Sequence, residues 1–343
     1  MEGPDLSTGQ VPLPANASER SPWGGEIHRG YTQSWNFTVE HKFPMDITTS
    51  VAYVGTQTTH QLADYDINSG YPGSGTTGLP YYQQYGRSVP TNMWDGYLSA
   101  HYHSLQVAFN KQFSKGLLVK GAYTYSKAIN MTDDDGWAGV GWNWAPVFQR
   151  NRAAAGYDRT HVFQVGWVYE LPFGKGKPYV KTGPVGYILG NWQVNGLMSA
   201  YTGVPFTVTA PGTSLNAPNN TQTADQVKTN VRFIGQPGGY WYDPTAFAPV
   251  TDQRFGTAGR NILRGPSLWN TDLSIFRNFP IREPIRIQFR GEFFNLPNSS
   301  HFGSPTDPSG TAVASRNVTS SNFLKMNQSY GERQIRFGLK VVF

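Results

Sequence analysis

The sequence contains no cysteine among its 343 residues. Disulfide scaffolds and thiolate metal sites are therefore excluded. Charged residues make up only 15%, and the net charge of +6 is spread along the chain without a basic block, so no nucleic-acid partner is expected. Mean hydropathy is −0.45, and no run reaches the roughly 18 apolar residues of a membrane-spanning helix. Low mean hydropathy does not exclude a membrane β-barrel, because its apolar lipid-facing and polar lumen-facing residues alternate and cancel in any window average.

The amino-terminal segment also lacks the features of an export signal. Residues 1–20 have neither a charged leading region nor an apolar core. We therefore expect either a signal further upstream in a longer parent chain or a protein that is not exported. The pattern of strands favours a signal further upstream in a longer parent chain.

Aromatic residues are abundant, at 14%, and many of them recur with a period of two. In residues 31–43 the odd positions carry Tyr31, Trp35 and Phe37, while threonine, serine, glutamate and lysine occupy even positions. Such alternation predicts a strand with one apolar and one polar face. The same pattern predicts about nine strands, most of them long enough for the roughly 9–11 residues with which a tilted strand crosses a bilayer. They are 31–43, 46–57, 97–112, 117–129, 160–171, 191–203, 268–279, 284–294 and 333–343.

The links between these strands alternate in length. Those near 43–46, 113–116 and 280–283 are short and 172–190 is moderate. The long links, rich in glycine, proline and small polar residues, are 58–96, 130–159, 204–267 and 295–332. This alternation predicts an antiparallel transmembrane β-barrel with short periplasmic turns and long extracellular loops, located in the outer membrane.

Two further sets of residues fit such a barrel. Phenylalanines stand at the short-turn end, as an interfacial girdle would: Phe43, Phe113, Phe173, Phe279 and Phe343. Charged residues occupy the polar face of the strands, where a watered lumen would accept them and lipid would not: Lys120, Glu170, Asp272, Arg286, Arg290, Glu292, Arg336 and Lys340. A solvated face of a soluble sheet is the alternative.

The last predicted strand, RQIRFGLKVVF, alternates strictly and stops on Phe343. A terminal aromatic residue behind such alternation is expected to be recognised by the barrel-assembly machinery. The expected partners are therefore this machinery and outer-membrane lipid. An ordinary terminal strand is the alternative.

Six segments together resemble one family. They are SLQVAFNKQFSKGLLVKGAYTYSKAIN (104–130), DRTHVFQVGWVYELPFGKGK (158–177), GNWQVNGLMSAYTGVPFTV (190–208), GRNILRGPSLWNTDLSIFRNFPI (259–281), IRIQFRGEFFNLPNSSHFGSP (285–305) and ERQIRFGLKVVF (332–343). Over about 100–343 the chain resembles the C-terminal barrel portion of Oar-like TonB-dependent outer-membrane receptors of the acidobacterial type. The resemblance implies uptake of a ligand across the outer membrane, and none of the segments is a catalytic motif.

The sequence departs from this family in an informative way. Such receptors have a 22-stranded barrel filled by a plug that carries a TonB box, whereas here we find about nine strands and neither plug nor TonB box. We therefore expect residues 31–343 to form part of a larger barrel and residues 1–30 to belong to an extracellular loop. An odd number of strands cannot close as a purely antiparallel barrel. We expect a fragment that is not transport-competent alone, since TonB would act only through the missing plug.

The sequence offers no catalytic constellation, so we expect no enzyme and no cofactor. His101 and His103 share a strand face but lack a third ligand nearby. The run of three aspartates at 133–135 before Gly136 departs from the spacing of a calcium loop. No metal site is predicted.

Aromatic clusters in two long loops are the candidate ligand-binding residues: Trp137, Trp142, Trp144, Tyr240, Trp241 and Tyr242. Exposed aromatic side chains can stack on sugars or grip peptides. Packing of the loops against each other explains them equally well. These loops also support a second hypothesis, a secreted or surface carbohydrate-binding or adhesive β-protein.

Overall fold

A computed structural model describes residues 26–133, 139–282, 285–302, 315–326 and 328–343. Nine long strands dominate it, and each coincides with a strand predicted from the sequence. They are β1 (Tyr31–Phe43), β2 (Ile47–Asp66), β3 (Asn92–Ser114), β4 (Leu117–Asn130), β5 (His161–Glu170), β6 (Trp192–Tyr201), β7 (Leu268–Arg282), β8 (Ile285–Phe294) and β9 (Gln334–Val342). The prediction of a nearly all-β chain is confirmed.

The nine strands form one antiparallel sheet in which every strand pairs with its neighbour in the chain. Residues 153–154 add a short pairing to the end of β4. Within the described residues β1 pairs only with β2 and β9 only with β8, so the sheet does not close on itself.

The register brings the apolar positions of successive strands onto one face. Val39 opposes Val51, and Val51 opposes Val107 in turn. The side chains of this face are largely uncovered; Phe37 is 69% exposed and Leu339 is 74% exposed. We call it the apolar face.

The opposite face carries the polar and charged residues. Glu292 of β8 opposes Arg336 of β9 in the same row as Ser274 of β7. Asp272 of β7 lies on the same face, two positions before Ser274. A sheet with one uncovered apolar face and one charged face is the arrangement of a membrane barrel wall.

β2 and β3 are longer than their alternation predicts, because they continue to Asp66 and begin at Asn92. The register shifts twice between Thr59 and Leu62, around His60 with a positive φ of 55°. A bulge of this kind inserts an unpaired residue and interrupts the alternation of the two faces. The period-two pattern therefore ends at the bulge although the strands continue past it.

The short turns use residues in the left-handed region. Lys115 and Gly116, with φ of 51° and 81°, make the link between β3 and β4. Two positive φ values in a two-residue loop match the twist of a hairpin. The three-residue link between β1 and β2 also contains two positive φ values, 65° at Met45 and 59° at Asp46.

The hydrophobic core lies in the long loops rather than in the sheet. One cluster packs Phe206, Val208 and Leu263 against Phe323 and Leu324. A second cluster joins the ends of β2 and β3 to the loop after β4 through Ala63, Leu98, Met131 and Val140. Two short α-helices accompany the sheet, α1 (Tyr82–Tyr85) and α2 (Gly183–Leu189). None of the described helices has the length and apolar content to span a membrane.

Candidate functional site

The described residues of the long loops pack together at one end of the sheet into what we call the loop cap: 67–91, 131–133, 139–160, 202–267 and 315–326. Asparagine side chains connect its parts. The amide of Asn143 donates to the Asn219 carbonyl at 2.9 Å, and the amide of Asn219 donates to the Asn68 carbonyl at 3.0 Å. The amide of Asn220 donates to the Gly70 carbonyl at 2.8 Å. Three loops far apart in sequence are thereby fixed to each other.

Arginines make further contacts within the loop cap. Arg150 donates to the carbonyls of Gly256 and Ala258 at 2.6 and 2.8 Å, and its guanidinium lies 5.0 Å from the ring centroid of Trp142. Arg260 donates to the Asn151 carbonyl at 2.9 Å. These cations are engaged by backbone carbonyls, which makes them clamps between loops.

Arg264 forms another clamp, with a buried carboxylate. Its guanidinium pairs with the carboxylate of Asp158, whose side chain is only 1% exposed, and donates to the Gly203 carbonyl at 3.1 Å. The second carboxylate oxygen of Asp158 accepts from the Ala128 amide at 2.6 Å. The end of β4 is thus tied to a loop that begins more than 70 residues later.

Two exposed or half-buried carboxylates in the cap are also stabilised in their charged form. Hydrogen bonds from Arg254, assisted by Thr257, lower the pKa of Asp225 against the opposing effect of burial. Burial raises the pKa of Asp133, but hydrogen bonds from Asn130 and Gly156 and the charge of Arg260 outweigh it, so that this pKa is lowered overall. Both carboxylates are therefore anions at neutral pH.

Of the aromatic residues predicted to bind a ligand, Trp142 is only 1% exposed and packs within the cap. Trp144 is half-buried and stacks on Phe255 with ring centroids 6.1 Å apart. Trp137 lies outside the described residues. The placement of Trp142 favours loop packing for that residue, and ligand contact by the first cluster stays a prediction.

The second predicted cluster lies nearer the surface. Tyr240 is 37% exposed, with the Lys325 ammonium 5.7 Å from its ring centroid. The indole of Trp241 donates to the Arg264 carbonyl at 3.2 Å, and the Tyr242 hydroxyl donates to the same carbonyl at 3.0 Å. Burial raises the pKa of Tyr242. Tyr240 is the member most open to a ligand, and its binding role likewise stays a prediction.

A pocket of about 340 Å³ opens on the charged face where the strands enter the loop cap. Tyr102, Tyr157 and Arg159 supply its large polar side chains. Arg159 donates to the Thr202 carbonyl at 2.8 Å and lies 5.6 Å from the ring centroid of Tyr201. No sequence pattern indicates this pocket, because its residues come from three strands and one loop that only the folded sheet brings together.

A larger cleft of about 610 Å³ lies in the cap and is lined by Arg150, Arg152 and Arg260. Arg152 donates to His101 at 3.3 Å, and His101 shares the apolar face with His103. The two histidine rings lie 5.6 Å apart. Within the described part of the chain, no three histidine or acidic residues are grouped as metal ligands would be; the aspartates at 134 and 135 lie outside it.

The model of the outer membrane beta barrel domain family matches residues 4–336. Curated proteins give no match. Among solved structures, the outer membrane transporter YddB from Escherichia coli superposes with a TM-score of 0.47 at 7% identity, over 94% of this chain and 34% of that one.

Two receptor structures give comparable values. The pyoverdine receptor FpvA from Pseudomonas aeruginosa has a TM-score of 0.47 at 10% identity, over 97% of this chain and 32% of its own. BauA, the ferric preacinetobactin receptor from Acinetobacter baumannii, has a TM-score of 0.43 at 10% identity, over 94% of this chain and 32% of its own. The chain spans about a third of the length of these structures.

The family match covers nearly the whole chain, and the sheet has the one apolar and one charged face that a membrane wall needs. The chain belongs to the outer membrane β-barrel domain family, and its location is the outer membrane.

Proposed function

We propose that this chain forms part of the wall and the loop cap of a TonB-dependent receptor of the Oar-like type, which takes up an extracellular ligand. The observation that carries the proposal is the nine-stranded antiparallel sheet whose packed loops all lie at one end. In outer-membrane barrels, long loops face the outside and short turns the periplasm. The loop cap is then extracellular, as residues 1–30 would also be.

The wall needs further strands in this proposal. β1 and β9 run in the same direction, because an even number of antiparallel steps separates them. Their free backbone groups have no place in lipid. Strands outside this sheet would complete the barrel and a plug would couple it to TonB, while Phe343 would mark the strand that the assembly machinery recognises.

The ligand would meet the chain at two places. Tyr240 and Trp241 stand on the loop cap, where aromatic rings can hold a sugar or peptide. Tyr102, Tyr157 and Arg159 line the pocket on the charged face, on the path from the cap into the lumen. The Arg159 cation beside the hydroxyls of Tyr102 and Tyr157 favours a ligand that carries anionic or polar groups.

Growth tests separate the uptake function from the alternatives. Cells that lack this gene and cells that lack TonB are grown with single ferric siderophores, oligosaccharides or peptides as the limiting nutrient. Both are expected to fail on the same nutrient, and restoring the gene should restore growth only where TonB is present. A nutrient whose uptake needs the gene but not TonB would contradict the proposal.

The second hypothesis, an adhesive or carbohydrate-binding surface protein, predicts a different result. Gene-deleted cells would lose binding to immobilised glycans, and cells without TonB would keep it. Tyr240→Ala can be measured in both the uptake and the glycan-binding assay, because both hypotheses place this residue at the extracellular surface.

A further inference from the structure

The helix α2 lies in the link between β5 and β6, at the short-turn end of the sheet. Four apolar side chains of this seven-residue helix are uncovered. They are Val185 (56% exposed), Tyr187 (72%), Ile188 (61%) and Leu189 (47%). In water such a helix would expose most of its apolar surface, which calls for an apolar partner.

Residues of the apolar face hold the carboxyl end of α2. Arg277 opposes Trp192 on β6 and Phe289 on β8, so it points to the same side as the lipid-facing side chains. Its guanidinium donates to the Ile188 carbonyl at 2.8 Å and to the Tyr187 carbonyl. The Trp192 indole donates to the Ile188 carbonyl at 2.9 Å.

These hydrogen bonds stabilise both the carboxyl end of α2 and the side chain of Arg277. The last carbonyls of a helix have no partner inside it, and a cation near them is favourable. An arginine on a lipid-facing surface is costly unless its donors are satisfied. The helix carbonyls accept from both terminal nitrogens of Arg277, and only its buried Nε lacks an acceptor among the described residues. Arg277 is only 8% exposed, with its guanidinium 4.4 Å from the Phe279 ring centroid. The helix is therefore fixed against the outside of the wall, continuous with the lipid-facing surface.

The link that carries α2 is cationic. Residues 171–191 contain Lys175, Lys177 and Lys181 and no acidic residue. Lys177 pairs with Glu170, whereas Lys175 and Lys181 are exposed. Exposed lysines beside an apolar helix face are the features of a segment that lies in the interface of an anionic membrane.

We propose that α2 is an interfacial anchor, inserted into the periplasmic leaflet with Tyr187, Ile188 and Leu189 among acyl chains and with Lys175 and Lys181 on anionic phospholipid headgroups. The periplasmic assignment rests on the orientation given under the proposed function. The insertion itself rests only on the side of the sheet to which Arg277 holds the helix.

These 343 residues contain no cysteine, so a single cysteine label can be placed in this chain as a direct test. Ile188→Cys carries an environment-sensitive fluorophore, and the receptor is reconstituted in nanodiscs of phosphatidylcholine with phosphatidylglycerol and a lipid-borne quencher. Tyr85→Cys, on the exposed helix α1 of the loop cap, is the matched control. We expect quenching at 188 and none at 85. A label at 188 that the lipid quencher does not reach, in a variant that still shows the wild-type β-sheet circular dichroism, would overturn the proposal in favour of a protein partner.

The lysines are tested by charge reversal. In Lys175→Glu with Lys181→Glu, preference for phosphatidylglycerol over phosphatidylcholine around the label at 188 should fall by about fivefold per lysine. Lys115→Glu, in another short turn, should leave it unchanged. An unchanged preference in the double variant would rule out headgroup binding by these lysines.

Arg277→Ala should release the helix, raising amide exchange at 183–190 and weakening the quenching at 188, whereas Arg282→Ala should do neither. Equal effects of the two variants would show that Arg277 does not fix α2. Labelling of intact cells with a membrane-impermeant maleimide tests orientation separately. Labelling at position 85 alone supports the orientation in the proposed function, whereas labelling at position 188 alone overturns that orientation. The lipid contact of α2 is decided separately, by the quenching result.

Discussion

The indole ring of Trp167 covers Gly196 across the ladder between β5 and β6, on the apolar face. A β-carbon at position 196 would overlap three atoms of that ring. Trp35 covers Gly55 and Phe109 covers Gly121 in the same way on other strand pairs. An aromatic ring over a glycine fills the space that the missing side chain leaves and fixes the register. The lipid-facing surface is therefore packed in pairs, although no layer of protein covers it.

Gly196→Ala is expected to displace the Trp167 ring and to destabilise the sheet by about 1–3 kcal/mol, the usual cost of overpacking. Gly338→Ala is the control, since a β-carbon there meets nothing within 4 Å. Urea unfolding of the receptor in lipid vesicles measures both variants. Equal stability of the two would show that the ring moves aside without cost.

Leu339→Arg tests the apolar face itself, because Leu339 is 74% exposed on it. A charge near the bilayer midplane costs about 2–4 kcal/mol, falling toward the interfaces. We expect a lower yield of assembled receptor in the outer membrane, and Ile335→Arg should act in the same direction. Lys340→Gln, next in the strand but on the charged face, should assemble normally. Normal assembly of both arginine variants would place this face away from lipid.

Arg264→Ala should loosen the loop cap by leaving the Asp158 carboxylate buried without its cation. Removing one partner of a buried pair costs up to about 3–5 kcal/mol; the 30% exposure of the Arg264 side chain will reduce that cost. Limited proteolysis of the cap should speed up. The double variant with Asp158→Asn should recover part of the resistance, and no recovery would mean that the lost carbonyl contacts of Arg264 matter more than the charge.

Acid should weaken the contact between Asp225 and Arg254 in the cap. The pKa of Asp225 in the folded protein lies below its ordinary value of 3.8. The stabilisation by its bonds to Arg254 is therefore complete above about pH 4 and is lost as the pH falls through the lowered value. Amide protection of Gln226 and Thr257, corrected for intrinsic exchange, should be constant from pH 7 down to about pH 4 and decline below it. Asp225→Asn should show no such step; a step that persists there would belong to another group.

Much of the wall was predictable because its signal is local. Alternation along β1 or β9 states which side chains share a face, and links such as Lys115-Gly116 can only be tight turns. The bulge at His60 marks the limit of this reasoning, since one extra residue reverses the alternation while the backbone continues to pair.

The candidate site was much less predictable. Trp142 and Tyr240 both belong to aromatic clusters in the sequence. In the structure Trp142 is buried beneath Arg150, whereas Tyr240 is exposed at the surface. The pocket at Tyr102 and Arg159 joins positions that no sequence spacing relates. Contacts between loops over 100 residues apart, such as Arg150 with Gly256, follow no period.

The sequence by itself determined the strands, their two faces and the alternation of short and long links, because side-chain direction in a strand depends only on the parity of the position. Only the tertiary structure decided which loop residues are clamps, which aromatics are covered, and that α2 lies against the outside of the wall beside Arg277. Those features depend on distances between segments that the chain brings together only when the sheet has formed.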